Sequence, residues 1–473
     1  MRMITDDEEN QLRSKYGDPY YYKAKRFSGL NQQYFAGYVA RSYELIYYLP
    51  DGCFYTHSEK TGVWTPATDK KMIDLIGLAI HEYAVAVNIP EIENYRTKSF
   101  LAAILDLLKG QAESRDAFAR RNGHFIHCAN AVLIFDLESL AWVKKDFSPH
   151  FYSRNQNPIQ YDPDKKCPRF IDLLLSKAMT VSDIQIVQLY LGQCLLGENL
   201  SQMFVILVGT PGGGKSTLVN VIEGVIGRQN CAELRTEFLA TRFEIGRASG
   251  KSLLTAKDVD PEFLSSAGAS KIKAMTGKDT MTGEAKNSNA AYDISGNFNI
   301  IITSNSLLRI EFADDVEAWR RRILFISYDN PPPAERITNL DQILLAEEGS
   351  GILNWALEGA AQLLKAGGVI TKTHEQQARV AMLMKSSRPF DVFGKLYIHP
   401  TLDASITTEE VVAWFTKFCE RMKWPLVSER KAQLLFNEWM RTTFGAVLRT
   451  DIKRNNHNKR GYSGYQIKKN TVK

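Results

Sequence analysis

The spacing of hydrophobic residues changes several times along this 473-residue chain, and each change predicts a different kind of structure. Residues 66–122 contain KKMIDLIGLAIHEYAVAV and SFLAAILDLLKG, whose apolar residues recur at three-and-four spacing, so we expect helices there. HFIHCANAVLIFDLESLAWVKK then predicts two short strands around a turn. RFIDLLLSKAM and DIQIVQLYLGQCLLG predict two further helices, whereas residues 1–60 are rich in tyrosine and are expected to be partly irregular.

Between residues 203 and 328 the pattern becomes one of short, nearly continuous apolar runs that alternate with helical segments. Such runs are typical of buried parallel strands. The predicted strands are MFVILV, SLLTA, FNIIITS and ILFISY. We therefore expect an α/β core, which NPPPAER (330–336) ends because consecutive prolines continue neither a helix nor a central strand.

The last part of the chain is again predicted to be helical. Residues 351–390 are predicted to be helical. EEVVAWFTKFCERM and KAQLLFNEWMRTTF then predict two amphipathic helices before a basic segment that ends in RGYSGYQIK. Together these patterns suggest five parts. They are an unassigned segment (1–65), a mostly helical domain (66–195), the α/β core (196–345), a helical lid or linker (346–395) and a small basic domain (396–473).

Composition places the chain among ordinary globular proteins. The hydrophobic content of 44% and the charged content of 24% are typical, and the length predicts two to four units. No apolar stretch reaches the ~20 residues of a membrane span, and the polar start MRMITDDEEN lacks a signal-peptide core, so we expect a cytoplasmic protein without a membrane partner. The six cysteines are scattered without a C-x-x-C pair, which argues against a zinc site or a disulfide framework.

The net charge of +6 is concentrated at the end of the chain. Residues 451–473 carry seven basic side chains against Asp451 alone: Lys453, Arg454, Lys459, Arg460, Lys468, Lys469 and Lys473. A localised basic patch favours a polyanion partner, while a solvated tail is the equally plausible alternative.

GTPGGGKST matches the pattern G-x-x-x-x-G-K-[ST] of a loop that wraps nucleotide phosphates. An apolar strand precedes it, and a helix follows whose positive dipole end faces the same anion. Lys215 is expected to reach the β- and γ-phosphates and Ser216 to hold Mg²⁺. The predicted nucleotide-binding residues are Gly209, Thr210, Pro211, Gly212, Gly213, Gly214, Lys215, Ser216 and Thr217.

An ATPase with such a loop also needs an acid at the end of a neighbouring strand. SLLTA is followed by KDVD, so we predict Asp258 on the metal side and Asp260 or Glu262 as the group that polarises water. DPEF is also typical of a helix start, which leaves an N-cap role open. Asn305 ends FNIIITSN and is a candidate contact of the γ-phosphate or the water, although asparagine there is also a common turn residue.

Two groups of basic residues flank that amide. Arg320, Arg321 and Arg322 stand directly before ILFISY, where an arginine can serve as a finger on a transferring phosphate; the alternative is a solvated basic run. Upstream, the glycine-containing stretch 271–296 suggests a hairpin that presents lysines, or else a loop with solvated lysines. The lysines are Lys271, Lys273, Lys278 and Lys286.

In this order, these pieces resemble the superfamily 3 helicases of viruses, phages and plasmids, and especially the helicase half of phage/plasmid and poxvirus-type primase-helicases. The matching segments are GTPGGGKST, LLTAKDVD, K-x-K-x-x-T-G-K-D with a trailing A-K, ITSN and WRRRILFI. The resemblance extends over roughly residues 110–473, with RGYSGY as the wing of a closing winged-helix-like module. Residues 1–110 match no archaeal-eukaryotic primase pattern, so any priming is expected from a separate protein or a missing portion.

The resemblance implies an AAA+ P-loop ATPase core with a mostly helical N-terminal domain and a small C-terminal winged-helix-like domain. It also implies a ring, commonly a hexamer, with ATP between subunits and translocation along DNA. By position, Lys215 and Ser216 become Walker A, Asp258 Walker B and Asn305 sensor 1. Either Arg321 or Arg322 becomes the finger that reaches the neighbouring subunit. The implied DNA contacts are Lys271, Lys273, Lys278 and Lys286 around the pore hairpin, with Lys459 and Arg460 in the basic module.

One departure is that the family often has Glu where this chain has Asp258, which leaves the water-activating residue open. The leading hypothesis is a ring-forming, ATP- and Mg²⁺-dependent DNA helicase that replicates a phage, virus or mobile element, on single-stranded or forked DNA. It would work with a separate primase or polymerase. The alternatives are an origin-binding or helicase-loading factor without processive unwinding and, third, a small-molecule kinase.

Overall fold

The structure is a computed structural model that describes residues 4–118, 123–266, 268–284, 291–310, 316–331, 335 and 337–468, without the side chains of residues 242, 284 and 291–293. The chain divides into two compact units, Met1–Asp162 and Pro163–Lys473. Within the described ranges, no helix combines the length and the apolar character needed to cross a bilayer.

The first unit combines helices with three small sheets. Its helices are α1 (Asp6–Tyr16), α2 (Gln32–Ser42), α3 (Asp69–Val87) and α4 (Lys98–Gln111). Its strands are β1 (Tyr20–Lys23), β2 (Arg26–Leu30), β3 (Leu45–Tyr48), β4 (Cys53–His57), β5 (Trp64–Ala67), β6 (Glu113–Ser114), β7 (Phe125–His127), β8 (Val132–Asp136) and β9 (Ala141–Lys145). The sheets are β1-β2, β5-β4-β3-β6 and β7-β8-β9.

The helices predicted between residues 66 and 122 are confirmed as α3 and α4. Thr68 caps α3 by accepting a hydrogen bond from the Lys71 amide, and Asn88 ends it in the left-handed conformation. The segment HFIHCANAVLIFDLESLAWVKK was predicted to form two strands. It forms three, because β7 pairs with β8 in addition to the pair β8–β9. Residues 1–60, which were expected to be partly irregular, form two helices and four strands over most of the described part of their length. Their tyrosines contribute to the core, because α2 packs Tyr34 and Tyr38 against Tyr83 of α3.

The second unit contains the longest helix and the largest sheet that the structure describes. Its helices are α5 (Pro168–Phe170), α6 (Val181–Leu196), α7 (Lys215–Ile226), α8 (Arg242–Ala248), α9 (Lys271–Thr276), α10 (Val316–Arg322), α11 (Leu340–Lys365), α12 (His374–Ser387), α13 (Pro389–Tyr397), α14 (Thr408–Met422) and α15 (Glu429–Phe444). Its strands are β10 (Phe204–Gly209), β11 (Cys231–Glu233), β12 (Leu253–Val259), β13 (Thr280–Glu284), β14 (Ala291–Ser295), β15 (Asn299–Ser304), β16 (Ile323–Tyr328), β17 (Ile398–Thr407), β18 (Arg449–Arg454) and β19 (His457–Ile467).

A five-stranded parallel sheet in the order β11-β12-β15-β10-β16 forms the centre of this unit. All four strands predicted between residues 203 and 328 are confirmed in it, and the unit is mixed α/β as expected. Ile206 and Ile300 are fully buried because helices cover the sheet, which explains the unbroken apolar runs. Since the strands are parallel, the carboxyl ends of β10, β12 and β15 lie at one edge.

A smaller antiparallel sheet, β17-β19-β18, packs with α14 and α15 near the end of the chain. The wing was expected at RGYSGY, but those residues lie inside β19, where they pair with β17. The hairpin turns instead at Asn455 and Asn456, whose φ angles are 49° and 62°. Consecutive positive φ angles are characteristic of the turn that joins twisted strands, and asparagine tolerates them better than most residues.

We predict that His127 makes the protein sensitive to acid. Its Nε2 lies 2.7 Å from the Thr61 carbonyl oxygen, its ring stacks on Phe147, and burial lowers its pKa to about 4. Because the folded pKa lies below the unfolded value, the neutral ring's contribution is complete above about pH 6.5 and is lost as the pH falls towards 4, by up to about 3 kcal/mol.

Thermal unfolding measured between pH 7 and pH 4 checks this expectation. His127→Gln should flatten the pH dependence of the midpoint, whereas the same change at exposed His150 should leave it as in the unaltered protein. An unchanged pH dependence in His127→Gln would contradict the assignment.

Candidate active site

A glycine-rich loop (residues 209–214) joins β10 to α7, and its glycines are required for different reasons. A Cβ on Gly209 would lie 1.8 Å from the Tyr328 carbonyl oxygen, and one on Gly213 would lie 2.5 Å from the Asn330 carbonyl oxygen. Gly214 has a φ of 106°, which side-chain-bearing residues rarely adopt. Gly214 caps α7 without a side-chain hydrogen bond, so the first N–H groups of α7 are left for an external acceptor.

Lys215 is the first residue of α7 and is only 3% exposed. Its Nζ donates to the carbonyl oxygens of Gly209 and Thr210, both at 2.9 Å, and to the amide oxygen of Asn305 at 2.8 Å. Burial lowers its pKa, while Asp258 and Asp329 act in the opposite direction. Neutral oxygens therefore position the ammonium group without neutralising its charge, and an anion bound beside it would supply the counter-charge.

Ser216 and Asp258 form an oxygen pair at the mouth of the same loop. The Ser216 hydroxyl donates to Asp258 Oδ2 at 2.8 Å. The pairing register of β12 with β15 shifts between Ala256 and Val259, and Asp258 has a φ of 51° within this bulge. Its amide donates to Thr303 Oγ1 at 2.8 Å, which fixes the bulge. A hydroxyl and a carboxylate are hard oxygen ligands, so the pair fits Mg²⁺.

The two further acids differ in their partners. Glu262 forms ion pairs with Arg309 and, at 3.5 Å, with Lys431. Asp260 is exposed, and its Oδ1 accepts a hydrogen bond from the Glu262 amide at 2.7 Å, as the capping interpretation expects. Within the described residues Asp260 has no ion-pair partner, so its second oxygen is the one more open to water or substrate.

A cleft of about 610 Å³ collects these groups. Its polar wall is formed by the glycine-rich loop, Lys215, Ser216, Asp258 and Asn305, and its apolar wall by Leu173, Leu174, Ile337 and Leu340. The Tyr328 hydroxyl donates to the Leu174 carbonyl oxygen at 2.7 Å and so ties the apolar wall to the end of β16. Sequence reasoning missed the apolar wall, because Leu173 and Leu174 precede the four predicted strands, Ile337 and Leu340 follow them, and none of these residues belongs to a motif.

A second cleft, of about 940 Å³, adjoins the other side of Asn305. It is lined by Val208–Pro211, by Asp260 and Glu262, and by Trp424 and its neighbours between α14 and α15. Asn305 therefore borders both clefts and separates the Lys215 ammonium from Asp260. Neither lining includes an arginine among the residues that the structure describes.

The three consecutive arginines lie on α10, away from both clefts. Arg322 is 6% exposed and donates through Nη1 to the Ala318 carbonyl oxygen at 3.2 Å. Arg320 is exposed and pairs with Glu317 at 2.8 Å, and Arg321 is exposed. The Nζ of Lys372, whose pKa burial lowers to about 8, donates to the carbonyl oxygens of Arg320 and Arg321 and so caps the end of α10.

The predicted lysine hairpin is present as β13 and β14, which pair antiparallel. Lys278 is exposed just before β13, with a φ of 65°. Lys271 and Lys273 are partly buried on α9, and the Lys271 Nζ lies 3.5 Å from the Ala240 carbonyl oxygen. Lys286 lies outside the described residues, between the two strands.

The basic end of the chain is partly neutralised by α14. Lys459 Nζ lies 2.9 Å from both carboxylate oxygens of Glu409, and Arg454 pairs with Glu410 at 2.8 Å. Arg460 is exposed, whereas Lys469 and Lys473 lie outside the described residues. The charge run is therefore a weaker patch than the sequence suggested, because two of its members are ion-paired.

One family model and several solved structures are similar to this chain. A family of unknown function (DUF5906) matches residues 207–322, and no curated protein matches significantly. Two apo structures of the NrS-1 C-terminal region, one of them the A form, align with a TM-score of 0.47 and 11% identity, over 90% of this chain and 97% of theirs. Similarity at this level does not establish a shared activity.

We predict that Gly209→Ala disrupts the edge of the sheet. The added methyl group would meet the main chain of Tyr328, which pairs with Gly209 across β10 and β16, so one strand must move. Thermal unfolding should reveal a loss of about 1–3 kcal/mol, as overpacking usually causes. Gly110→Ala adds the same methyl group in open space on α4 and should instead be neutral or stabilising; equal effects of the two changes would contradict this account.

Proposed function

We propose that this chain is an ATP-dependent DNA helicase or translocase of superfamily 3, with an AAA+-type core that assembles into a ring. The observation that carries the proposal is the buried Lys215 ammonium, held by neutral oxygens beside the uncapped start of α7 and the Ser216–Asp258 pair. Among the described residues this cation has no carboxylate ion-pair partner. Together with the N–H groups at the start of α7 and the pair of hard oxygens, it suits a magnesium-bound polyphosphate. The strand order, in which β15 with Asn305 lies between β10 and the acid-bearing β12, also supports an AAA+-type core.

The substrate's orientation follows from the two walls of the 610 Å³ cleft. The triphosphate would lie along the glycine-rich loop, and the base would rest on Leu173, Leu174 and Leu340. Ser216 and Asp258 would hold Mg²⁺. When bound, Mg²⁺ supplies charge neutralisation for the phosphate oxygens.

Asn305 has the position of a reporter of the terminal phosphate. Its amide oxygen accepts from Lys215, and its side chain borders both clefts. When Lys215 turns its hydrogen bonds towards a phosphate, Asn305 is freed to bind the γ-phosphate or the attacking water. Asp260, across the second cleft, orients that water more readily than Glu262, because Arg309 and Lys431 already engage the Glu262 carboxylate.

The ring is proposed because the two clefts lack a guanidinium of their own among the described residues. Stabilisation of the transferring phosphoryl group by arginine would then come from a neighbouring copy. Arg321 suits this role better than Arg322, whose guanidinium is buried within its own subunit. The Lys372 cap holds the end of α10 and would steady Arg321 for that contact. A hexamer remains the proposed ring size.

DNA would be moved by the β13–β14 hairpin, with Lys278 exposed at its base. Contacts of this kind rest on backbone phosphates, so binding should be largely independent of sequence and steeply dependent on salt. A forked-substrate assay tests the activity: strand displacement that requires ATP supports a helicase. DNA-stimulated ATPase activity without displacement would instead indicate a loading factor and overturn the proposal.

Lys215, the proposed phosphate-binding lysine, is tested by substitution. Lys215→Ala should lower ATP turnover by at least about 100-fold, because it removes the cation aimed at the transferring phosphate. A colorimetric phosphate-release assay measures this effect. Lys365→Ala removes the same charge from an exposed position on α11 and should retain full turnover. If Lys215→Ala still hydrolyses ATP at an appreciable rate, the site assignment fails.

Mixing two variants tests whether the proposed arginine finger, Arg321, acts between subunits. Arg321→Ala and Lys215→Ala should each be inactive alone, but mixing them should restore part of the ATPase activity, because some interfaces then combine an intact loop with an intact arginine. Arg322→Ala should chiefly lower the thermal midpoint, since its guanidinium is buried. Assembled mixtures that stay inactive would rule out Arg321 as the finger.

A further inference from the structure

The first unit carries a short hairpin whose composition the proposed motor does not explain. Strands β1 and β2 form the sequence YYYKAKRFSGL (residues 20–30), which we call the tyrosine–lysine hairpin. Its turn consists of Ala24 and Lys25, with φ angles of 50° and 65°, and Lys23 pairs with Arg26 directly beside the turn. The tight turn therefore gathers three cations at one tip.

These three cations face solvent. Lys23, Lys25 and Arg26 are all exposed, and none has an ion-pair or hydrogen-bond partner for its side chain within the described residues. Residues 19–30 contain no acidic side chain, and Asp18 just before them is paired with Arg13. The hairpin thus presents a local charge of three positive units that nothing in its own strands offsets.

Two tyrosine rings accompany the cations. Tyr21 is 49% exposed and Tyr22 is 57% exposed, although other tyrosines of this unit, such as Tyr34, are completely buried. The Tyr22 ring stands edge-on against Phe27, with centroids 5.8 Å apart, and Phe27 in turn packs on Tyr95 at 5.8 Å. Tyr22 is therefore supported from beneath while much of its surface stays open.

Tyr21 has a different neighbour across the strands, because the pairing register shifts between Tyr21 and Tyr22. Its partner across the strands is Gly29, which leaves the ring unobstructed: a Cβ on Gly29 would only just contact it, at 4.0 Å. A supported but open aromatic ring next to unpaired cations is the combination that sequence-tolerant binding of single strands uses.

We propose that the tyrosine–lysine hairpin binds single-stranded DNA, with Lys23, Lys25 and Arg26 on the backbone phosphates and bases stacked on Tyr21 and Tyr22. A duplex would satisfy the cations but not the rings, since its bases are already stacked. The choice of DNA rests on the proposed function. Binding at the hairpin does not require ATP hydrolysis. The hairpin would be a single-strand-binding site outside the proposed ATPase core.

Fluorescence anisotropy of the full chain with a labelled 20-nucleotide oligothymidine, in the absence of nucleotide, tests the charge contribution. The triple change Lys23→Gln, Lys25→Gln and Arg26→Gln should weaken binding at least about tenfold and reduce the slope of log K against log salt by about 2, since each phosphate contact on a single strand contributes about 0.7. The matched control is Lys70→Gln, Lys71→Gln and Lys98→Gln, three exposed lysines of the same unit. The control should bind like the unaltered chain.

The rings are tested separately. Changing Tyr21 and Tyr22 together to Ser should weaken binding by about tenfold or more, because base–aromatic stacking is lost, whereas changing both to Phe should preserve it. An unlabelled duplex of the same length should compete much less effectively than the single strand.

Three results would overturn the proposal: unchanged affinity in the Gln triple variant, equal losses in hairpin and control variants, or a duplex that competes as well as the single strand. ATPase activity without DNA should be unaltered in every hairpin variant, which shows that the fold is intact. The unaltered chain could hydrolyse no ATP while the hairpin variants still bind DNA more weakly than it does; the motor proposal would then fail and the hairpin proposal would stand. In that case, equal thermal midpoints of the variants and the unaltered chain would show that the fold is intact.

Discussion

In the part of the chain that the structure describes, the buried ammonium group of Lys215 has no carboxylate ion-pair partner, and this constraint organises the residues around it. Lys215 draws the carbonyl oxygens of Gly209 and Thr210 and the amide of Asn305 towards one point. These neutral acceptors make burial of the charge tolerable, but they leave its field directed into the cleft. The loop can turn this closely beside Tyr328 and Asn330 because glycine stands at positions 209 and 213, where a Cβ would meet the carbonyl oxygens of those two residues.

The parallel sheet makes this arrangement possible. The chemically important residues come from segments separated by some 40 to 90 positions along the chain, yet they meet because β10, β12 and β15 all end at the same edge. The bulge that contains Asp258 then turns its carboxylate towards Ser216 rather than along the strand. Small departures from regular pairing therefore decide which side chains face the glycine-rich loop.

Positive charge in this protein is divided between structural and exposed positions. Arg322 is buried, and Arg454 and Lys459 are ion-paired with α14. Lys372 caps the end of α10. Other cations stay exposed, among them Arg321, Lys278 at the base of the β13–β14 hairpin, and the three cations of the tyrosine–lysine hairpin. These are the positions from which a cation can act on something outside its own subunit. The proposed contacts with a neighbouring copy and with DNA therefore depend on charges that folding leaves unpaired.

The sequence by itself determined the central strands and the residues of the glycine-rich loop. Continuous apolar runs require burial on both faces, and the spacing of Gly209, Lys215 and Ser216 requires a strand, a loop and a helix in that order. Only the tertiary structure decided which of three adjacent arginines is buried, that Lys459 is ion-paired, that the terminal hairpin turns at Asn455 rather than at RGYSGY, and that Leu173 and Leu340 face Lys215. The physical reason is the same in each case. Periodicity and motifs record local backbone preferences, whereas burial and pairing depend on segments that are distant in sequence and meet only when the chain has folded.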